Sequence, residues 1–254
     1  MKTALITGAT SGIGLEFARR LADRGYRLIV TGRRVDRLEA LKLELDVPVE
    51  IISGDLSKKK ECFALLDKLK DQQIDIFINN AGFGVAGSFV ETDVNREVSM
   101  IKVNDIAMHI LFKGILQKMV LVNHGKILNV ASSAGLLPGG PYMAGYYASK
   151  AYVTSLTRAV AVELEEMGSK VKISALCPGP VNTEFNEHAD VVFALKGISP
   201  QKCVEEALKG MDKEKTIIVP DFSLKLAMVF AHILPPHMLV KMAGHQQKKK
   251  LPNY

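Results

Sequence analysis

Short, mostly apolar runs alternate along this chain with longer stretches whose apolar residues recur every third or fourth position. The short runs are Lys2–Thr7, Arg27–Thr31, Val49–Ser53, Asp75–Asn79, Gly125–Ala131, Lys172–Cys177 and Thr216–Pro220. Strands covered on both faces read this way, without a clean polar alternation, which points to a parallel sheet between layers of helix. The helical stretches lie between them. Leu15, Ala18, Leu21 and Ala22 share one face of a helix that Gly25 ends. Asp36–Leu45 carries Leu38, Leu41 and Leu45, and Ser57 reads as the N-cap of a helix bearing Leu65, Leu66 and Leu69. A long helical pattern covers about 93–122, another runs from near Gly145 to about Gly168, and Ser199-Pro200 opens a helix to about Met211.

Strands alternating with helices predict right-handed crossovers, with ligands at the C-terminal ends of the strands. The expected fold is therefore α/β: a single Rossmann-like, doubly wound domain with a seven-stranded parallel sheet flanked by helices. Residues 1–221 form this domain. Residues 222–254 form a helical tail, apolar through Leu224–Leu234, broken at Pro235-Pro236 and basic at Lys248–Lys250, packed on the same domain or on a partner subunit. Such a tail also allows peripheral contact with an anionic membrane. The segment Glu184–Ile198 shows no strong period and reads as a mobile cover over a substrate.

Composition narrows the function. A chain of 254 residues with 48% hydrophobic and 24% charged residues buries a proper core and is not a disordered protein. Its three cysteines, Cys62, Cys177 and Cys203, are widely spaced and odd in number, which points to the cytoplasm rather than to a disulfide framework. The apolar run after Met1 is too short for a signal peptide, and no apolar stretch reaches the ~18 residues of a membrane span. A net charge of +6 suits an anionic partner. The basic residues are scattered, no zinc-finger spacing occurs and Trp is absent, so phosphate on a small cofactor fits better than nucleic acid. The histidines show no metal spacing, and Ser132 and Ser133 lie in no G-x-S-x-G elbow.

The candidate chemistry gathers at predicted strand ends. Gly8-Ala-Thr-Ser-Gly12-Ile-Gly14 joins the first strand to the first helix, an arrangement that offers backbone N–H groups to a diphosphate. The second strand ends in Gly32 rather than an acid, and Arg33 follows; a guanidinium there suits a ribose 2′-phosphate and favours NADP(H) over NAD(H). Asp55 and Asn80 fall at the ends of the third and fourth strands. Asn104, inside a helical pattern that disfavours it, either caps a kink or holds a water. Tyr146 and Lys150 are four apart on one helix, and an ammonium beside a phenol favours the phenolate.

Thr7-Gly-x-x-x-Gly12-Ile-Gly14, Asp55-Leu56, Asn79-Asn-Ala-Gly82, Asn104, Ser133, Tyr146-x-x-x-Lys150 and Pro178-Gly179 occur in one order. In this the chain resembles the short-chain dehydrogenase/reductase family over essentially its whole length. The family's serine usually stands thirteen residues before its tyrosine, which selects Ser133, and the step to Lys150 selects Tyr146.

The resemblance implies an NADP(H)-dependent oxidoreductase interconverting a carbonyl and a secondary alcohol. Tyr146 would be the general acid or base, Lys150 would hold the nicotinamide ribose and lower the phenol pKa, Ser133 would bind the substrate oxygen and Asn104 would keep a water. Gly8, Thr10, Ser11, Gly12, Ile13 and Gly14 would surround the phosphates, with Arg33 on the 2′-phosphate and Asp55 and Leu56 at the adenine. Asn80, Ala81 and Gly82 would line the ribose, while Pro178, Gly179, Val181 and Thr183 would border the nicotinamide carboxamide. No metal is implied. Phe83, Leu136, Leu137 and Met143 border an apolar pocket, so a steroid-like or fatty-acyl carbonyl is the expected substrate, with a small hydroxy acid or hydroxy amino acid as the alternative. A homodimer or homotetramer is expected. A cofactor-sensing or membrane-surface protein would not need Ser133, Tyr146 and Lys150 together.

Overall fold

The computed structural model describes residues 1–184, 197–231 and 233–248. Seven strands form one sheet in the order β3-β2-β1-β4-β5-β6-β7, with every neighbouring pair parallel. They are β1 (Thr3–Thr7), β2 (Arg27–Thr31), β3 (Val49–Ile51), β4 (Ile76–Asn79), β5 (Lys126–Val130), β6 (Lys172–Leu176) and β7 (Ile217–Ile218). The expected doubly wound α/β fold is present, although β3 and β7 are shorter than the apolar runs that announce them.

Both sheet faces are covered, and the alternation of side chains along each strand assigns residues to one face or the other. Ala4, Ile6, Leu28, Val30, Ile76, Ile78, Leu128 and Leu176 pack on one side with α1 (Gly12–Asp23), α2 (Val35–Glu44) and α7 (Pro200–Asp212). Leu5, Ile29, Phe77, Ile127, Ile173 and Ala175 pack on the other with α3 (Lys59–Lys68), α5 (Met108–Leu121) and α6 (Ala144–Glu166). With neither face solvated, each strand reads as a near-continuous apolar run.

Side-chain caps start the helix Val94–Ile101 at Asp93 and α7 at Ser199. The Ser199 side chain accepts the N–H of Lys202 and Pro200 occupies the first turn of α7. One expectation needs correction: Ser57 does not cap α3. The Asp55 carboxylate accepts the Ser57 N–H at 3.1 Å, and this turn delays the helix until Lys59. The long helix around Asn104 is α4 (Val94–Ile101), a wider π turn over Lys102–Ala107, then α5. The tail forms α8 (Phe222–Ala231) and α9 (Pro236–Lys248). Residues 185–196, which hold most of the expected substrate cover, and 249–254, with the end of the basic tail, lie outside the described residues.

One buried polar chain crosses the second core. Asn79 donates to the Met108 carbonyl at 3.0 Å and to Asn129 Oδ1 at 3.1 Å, and Asn129 donates to Thr157 Oγ1 at 3.0 Å. Replacing Asn129 with Ala strands donors and acceptors that water cannot reach. Asn129→Ala is predicted to lower unfolding free energy by about 2 kcal/mol in urea titrations; a loss under about 0.5 kcal/mol, within the scatter of surface substitutions, would refute this.

Candidate active site

The sheet order reverses between β1 and β4, so a crevice opens where their following segments part. Thr7 and Asn80 close its floor. Thr7 Oγ1 accepts the N–H groups of Asn80 and Ala81 at 2.9 and 3.0 Å, while Asn80 Nδ2 donates to the carbonyls of Thr7 and Gly8 at 2.9 and 3.2 Å. The Asn80 amide thus holds the turn rather than facing outward. Gly8 and Gly12 take left-handed φ values of 68° and 57°. A Cβ on Gly14 would collide with the Gly8 carbonyl, so the helix starts hard against the turn. Ile13 packs against the core beneath.

This turn presents the start of α1. Ser11 is the N-cap residue, yet its side chain caps no backbone N–H, and no acid lies in the first turn. The end of α1 is therefore electropositive and receptive to an anion. The Ser11 and Thr10 hydroxyls instead accept from Arg34 Nη2 at 2.9 and 3.0 Å. The side chain that reaches the glycine turn from the end of β2 is thus that of Arg34, the neighbour of Arg33. Arg33 is exposed and its charge, with the Ser57 contacts, helps hold the Asp55 carboxyl below its usual range against burial. Leu56 is buried in the core.

On the other side of the crevice stand Asn104, Ser132, Tyr146 and Lys150. Asn104 Oδ1 accepts the Phe83 N–H at 3.0 Å, and its Nδ2 donates to the Phe83 carbonyl at 2.9 Å and to Ser149 Oγ at 3.1 Å. The side chain is fully engaged with Phe83 and Ser149, and Asn104 lies within the π turn Lys102–Ala107. Gly82 lies against this group: a Cβ there would be 2.9 Å from Asn104 Oδ1 and 3.4 Å from Lys150 Nζ.

Two expectations about the proton-transfer group change. The hydroxyl bonded to the Tyr146 phenol is that of Ser132, not Ser133. Ser133 starts the 3-10 turn Ser133–Leu136, and its backbone N–H donates to the Pro178 carbonyl at 2.8 Å. Neighbouring side chains at the start of this turn point apart, so a one-residue difference in loop length moves the facing hydroxyl. Second, the net shift of the phenol is upward although Lys150 stands beside it. Its Nζ donates to the Val130 carbonyl at 2.9 Å and lies 5.8 Å from the Tyr146 ring centre. Burial pushes the phenol up to about 12, with the Ser132 bond opposing, and pulls Lys150 down to about 8, with Asp105 opposing.

The outer wall is apolar. Ala134, Met143 and Tyr147 form a buried cluster with Ala86, Leu137 and Tyr146 against it. Helix α9 covers this wall: Gln247 Nε2 donates to the Tyr147 hydroxyl at 2.7 Å, and a Cβ on Gly244 would meet Pro141 at 2.9 Å. Helix α8 approaches Gly179 through Leu224. Val181 bridges to Ile198, and Thr183 lies over Gly12, where an added Cβ would sit 3.2 Å from it. Among the described residues no cluster of His, Cys, Asp and Glu is arranged to hold a metal.

Comparison with known proteins agrees with this geometry. The pattern of the family described as short chain dehydrogenase matches residues 2–191. The chain is 31% identical over 229 residues to D-beta-hydroxybutyrate dehydrogenase of Rhizobium meliloti, covering 86% of this chain and 87% of that protein. Among solved structures, it is similar to a short-chain dehydrogenase from Sphingobium yanoikuyae in complex with NADPH, at 30% identity and TM-score 0.82 over 92% of this chain and 94% of that one. A short chain dehydrogenase/reductase from Burkholderia phymatum in complex with NAD matches at 25% identity and TM-score 0.82, over 91% and 93%.

Asp105, next to Asn104, gives the site a titration of its own. Its Oδ1 is enclosed with no hydrogen-bond partner among the described residues, and burial pushes the carboxyl up to about 6 despite the pull of Lys150. A carboxyl raised on folding binds its proton more tightly in the native state, so the stability it contributes is complete below its unfolded value near 4 and lost as pH rises through about 6. Asp105→Asn should therefore be neutral near pH 4 relative to the parent and progressively more favourable toward pH 7. Discounted for partial solvation, the gain is about 1–2 kcal/mol. Thermal melts of both proteins across that range check it, and a difference independent of pH would contradict it.

Proposed function

The chain belongs to the short-chain dehydrogenase/reductase family, and from that premise we propose that this oxidoreductase of alcohol and carbonyl groups uses NADP(H) to interconvert a hydrophobic ketone and its secondary alcohol. The observation that carries the reading is the meeting of Tyr146 with Ser132, beside the buried Lys150, at the edge of the crevice whose far side is the glycine turn. The uncapped start of α1 suits a diphosphate and the arginines after β2 suit a 2′-phosphate, so the residues present fit the cofactor.

When bound, NADP(H) supplies or accepts the hydride. The chain supplies the proton and the geometry. Tyr146 gives its phenolic proton to the carbonyl oxygen, or takes the alcohol proton in reverse, and Ser132 donates to the same oxygen. A phenol held protonated by burial suits the reductive direction near neutral pH. Lys150, with Asn80, Ala81 and Gly82, would hold the nicotinamide ribose, and Thr183 with Val181 would hold the carboxamide. Thr10, Ser11, Arg33 and Arg34 would hold the phosphates and the adenosine end, with Asp55 and Leu56 at the adenine. Asn104 orders the π turn beside Lys150, leaving any water to its main chain.

Met143, Tyr147, Leu137 and Ala86 favour an apolar substrate wall. The similarity to a hydroxybutyrate dehydrogenase supports a second reading, a small hydroxy acid. Three free, buried thiols fit the cytoplasm. Exposed Val94, Val98, Ile101, Ile106, Tyr152 and Val162 on α4, the π turn and α6 fit burial against further copies of the chain.

A panel of bulky ketones and small hydroxy acids, followed by NADPH absorbance, tests the substrate reading; turnover of hydroxy acids alone would reverse it. With the best substrate, Tyr146→Phe should lower kcat by about 10²–10⁴-fold. Ser132→Ala should lose about 10²-fold while Ser133→Ala stays within about threefold. Reduction by Tyr146→Phe at the parental rate would sink the mechanism.

A further inference from the structure

The arginines that follow β2 already hold an anion, and it belongs to the chain. Glu184, one residue beyond the Thr183 that lies over Gly12, places its carboxylate between two guanidinium groups. Arg34 Nη1 donates to Oε2 at 3.1 Å, and Arg37 Nη1 donates to Oε1 at 2.6 Å and Oε2 at 2.9 Å. Arg34 meanwhile keeps its other nitrogen on Thr10 and Ser11. The carboxylate is thus held by Arg34, which reaches the glycine turn from the end of β2, where an adenosine 2′-phosphate is read in a dinucleotide fold, and by Arg37 in the first turn of α2. The Glu184 carboxyl is held below its ordinary range by Arg37 and Arg34, so it is ionised at neutral pH.

We infer that Glu184 is a specificity-determining residue that competes, from within the chain, with the 2′-phosphate of NADP(H) for Arg34 and Arg37. The inference rests on the NADP(H) reading above. A phosphate dianion and a carboxylate both want the same guanidinium donors, and two negative groups on one arginine pair repel. NADPH must therefore displace Glu184, whereas NADH, with a free 2′-hydroxyl, leaves the ion pairs in place. Glu184 narrows the preference for NADPH that the arginines alone would give. Because all three side chains are about one-third exposed or more, the ion pairs are weak, and a phosphate displaces the carboxylate without disrupting the fold.

The test is calorimetric titration of the full chain with NADPH, NADH, 2′,5′-ADP and 5′-AMP, comparing the parent with Glu184→Gln. The substitution keeps size and hydrogen-bonding reach and removes the charge. NADPH and 2′,5′-ADP should bind about threefold to tenfold more tightly, while NADH and 5′-AMP stay within about twofold. Equal changes for phosphorylated and unphosphorylated ligands would overturn the inference, since Glu184 would then act only through Thr183 and the turn. No change in any ligand would overturn it as well. A separate arm, Arg34→Gln, addresses the underlying reading: if it leaves NADPH and 2′,5′-ADP affinities unaltered, the cofactor assignment fails, whatever Glu184→Gln does.

Discussion

The site depends on one junction, the exchange of hydrogen bonds between Thr7 at the end of β1 and Asn80 just beyond β4. In a parallel sheet these strand ends would otherwise leave backbone groups unpaired where the chain turns to opposite faces. Thr7 and Asn80 satisfy those groups mutually, and the first turn of α1 can then pack through Gly14 directly against the Gly8 carbonyl. The same segment continues through Gly82 to Asn104 and Lys150. The anion-receptive helix end and the Tyr146–Lys150 group are thus tied to one span of four residues, Asn79 to Gly82, and their separation is set by backbone rather than by flexible side chains.

Within that frame, burial acts in opposite directions on Tyr146 and Lys150, because one is charged when deprotonated and the other when protonated. Both shift toward neutrality. The partly buried Asp105 shifts the same way. Near neutral pH the phenol is therefore uncharged, while Lys150, at about 8, keeps its proton and Asp105, at about 6, has lost its own, so the two charges offset one another beside Tyr146.

Much of this was legible in the sequence, and the failures share a cause. Strand runs such as Leu28–Val30 announce themselves because both faces of the sheet are covered. The glycine turn and the Tyr146–Lys150 pair are readable because their spacing is fixed by local geometry. Ser132 against Ser133, and Arg34 against Arg33, were not, since adjacent residues point apart and the deciding fact is the length of a loop or the rotation of a helix start. Spacing alone could not separate them. The Lys150 bond to Val130, the Glu184 bridge to α2 and the Gln247 bond to Tyr147 join positions 20, about 150 and 100 residues apart. No local pattern encodes such meetings. Asn104 is instructive in the other direction: an amide out of place in a regular helix lies where the helix widens into the π turn.

Helix α9 touches the chemistry without joining the sheet. It seats Gly244 on Pro141 and bonds Gln247 to the residue next to Tyr146, yet contributes no strand and no ladder hydrogen bond. The shape of the substrate wall and the integrity of the sheet are therefore governed by separate stretches of polypeptide. Changes along α9 can reshape the apolar wall at Tyr147 and Pro141 without breaking a ladder hydrogen bond of the sheet.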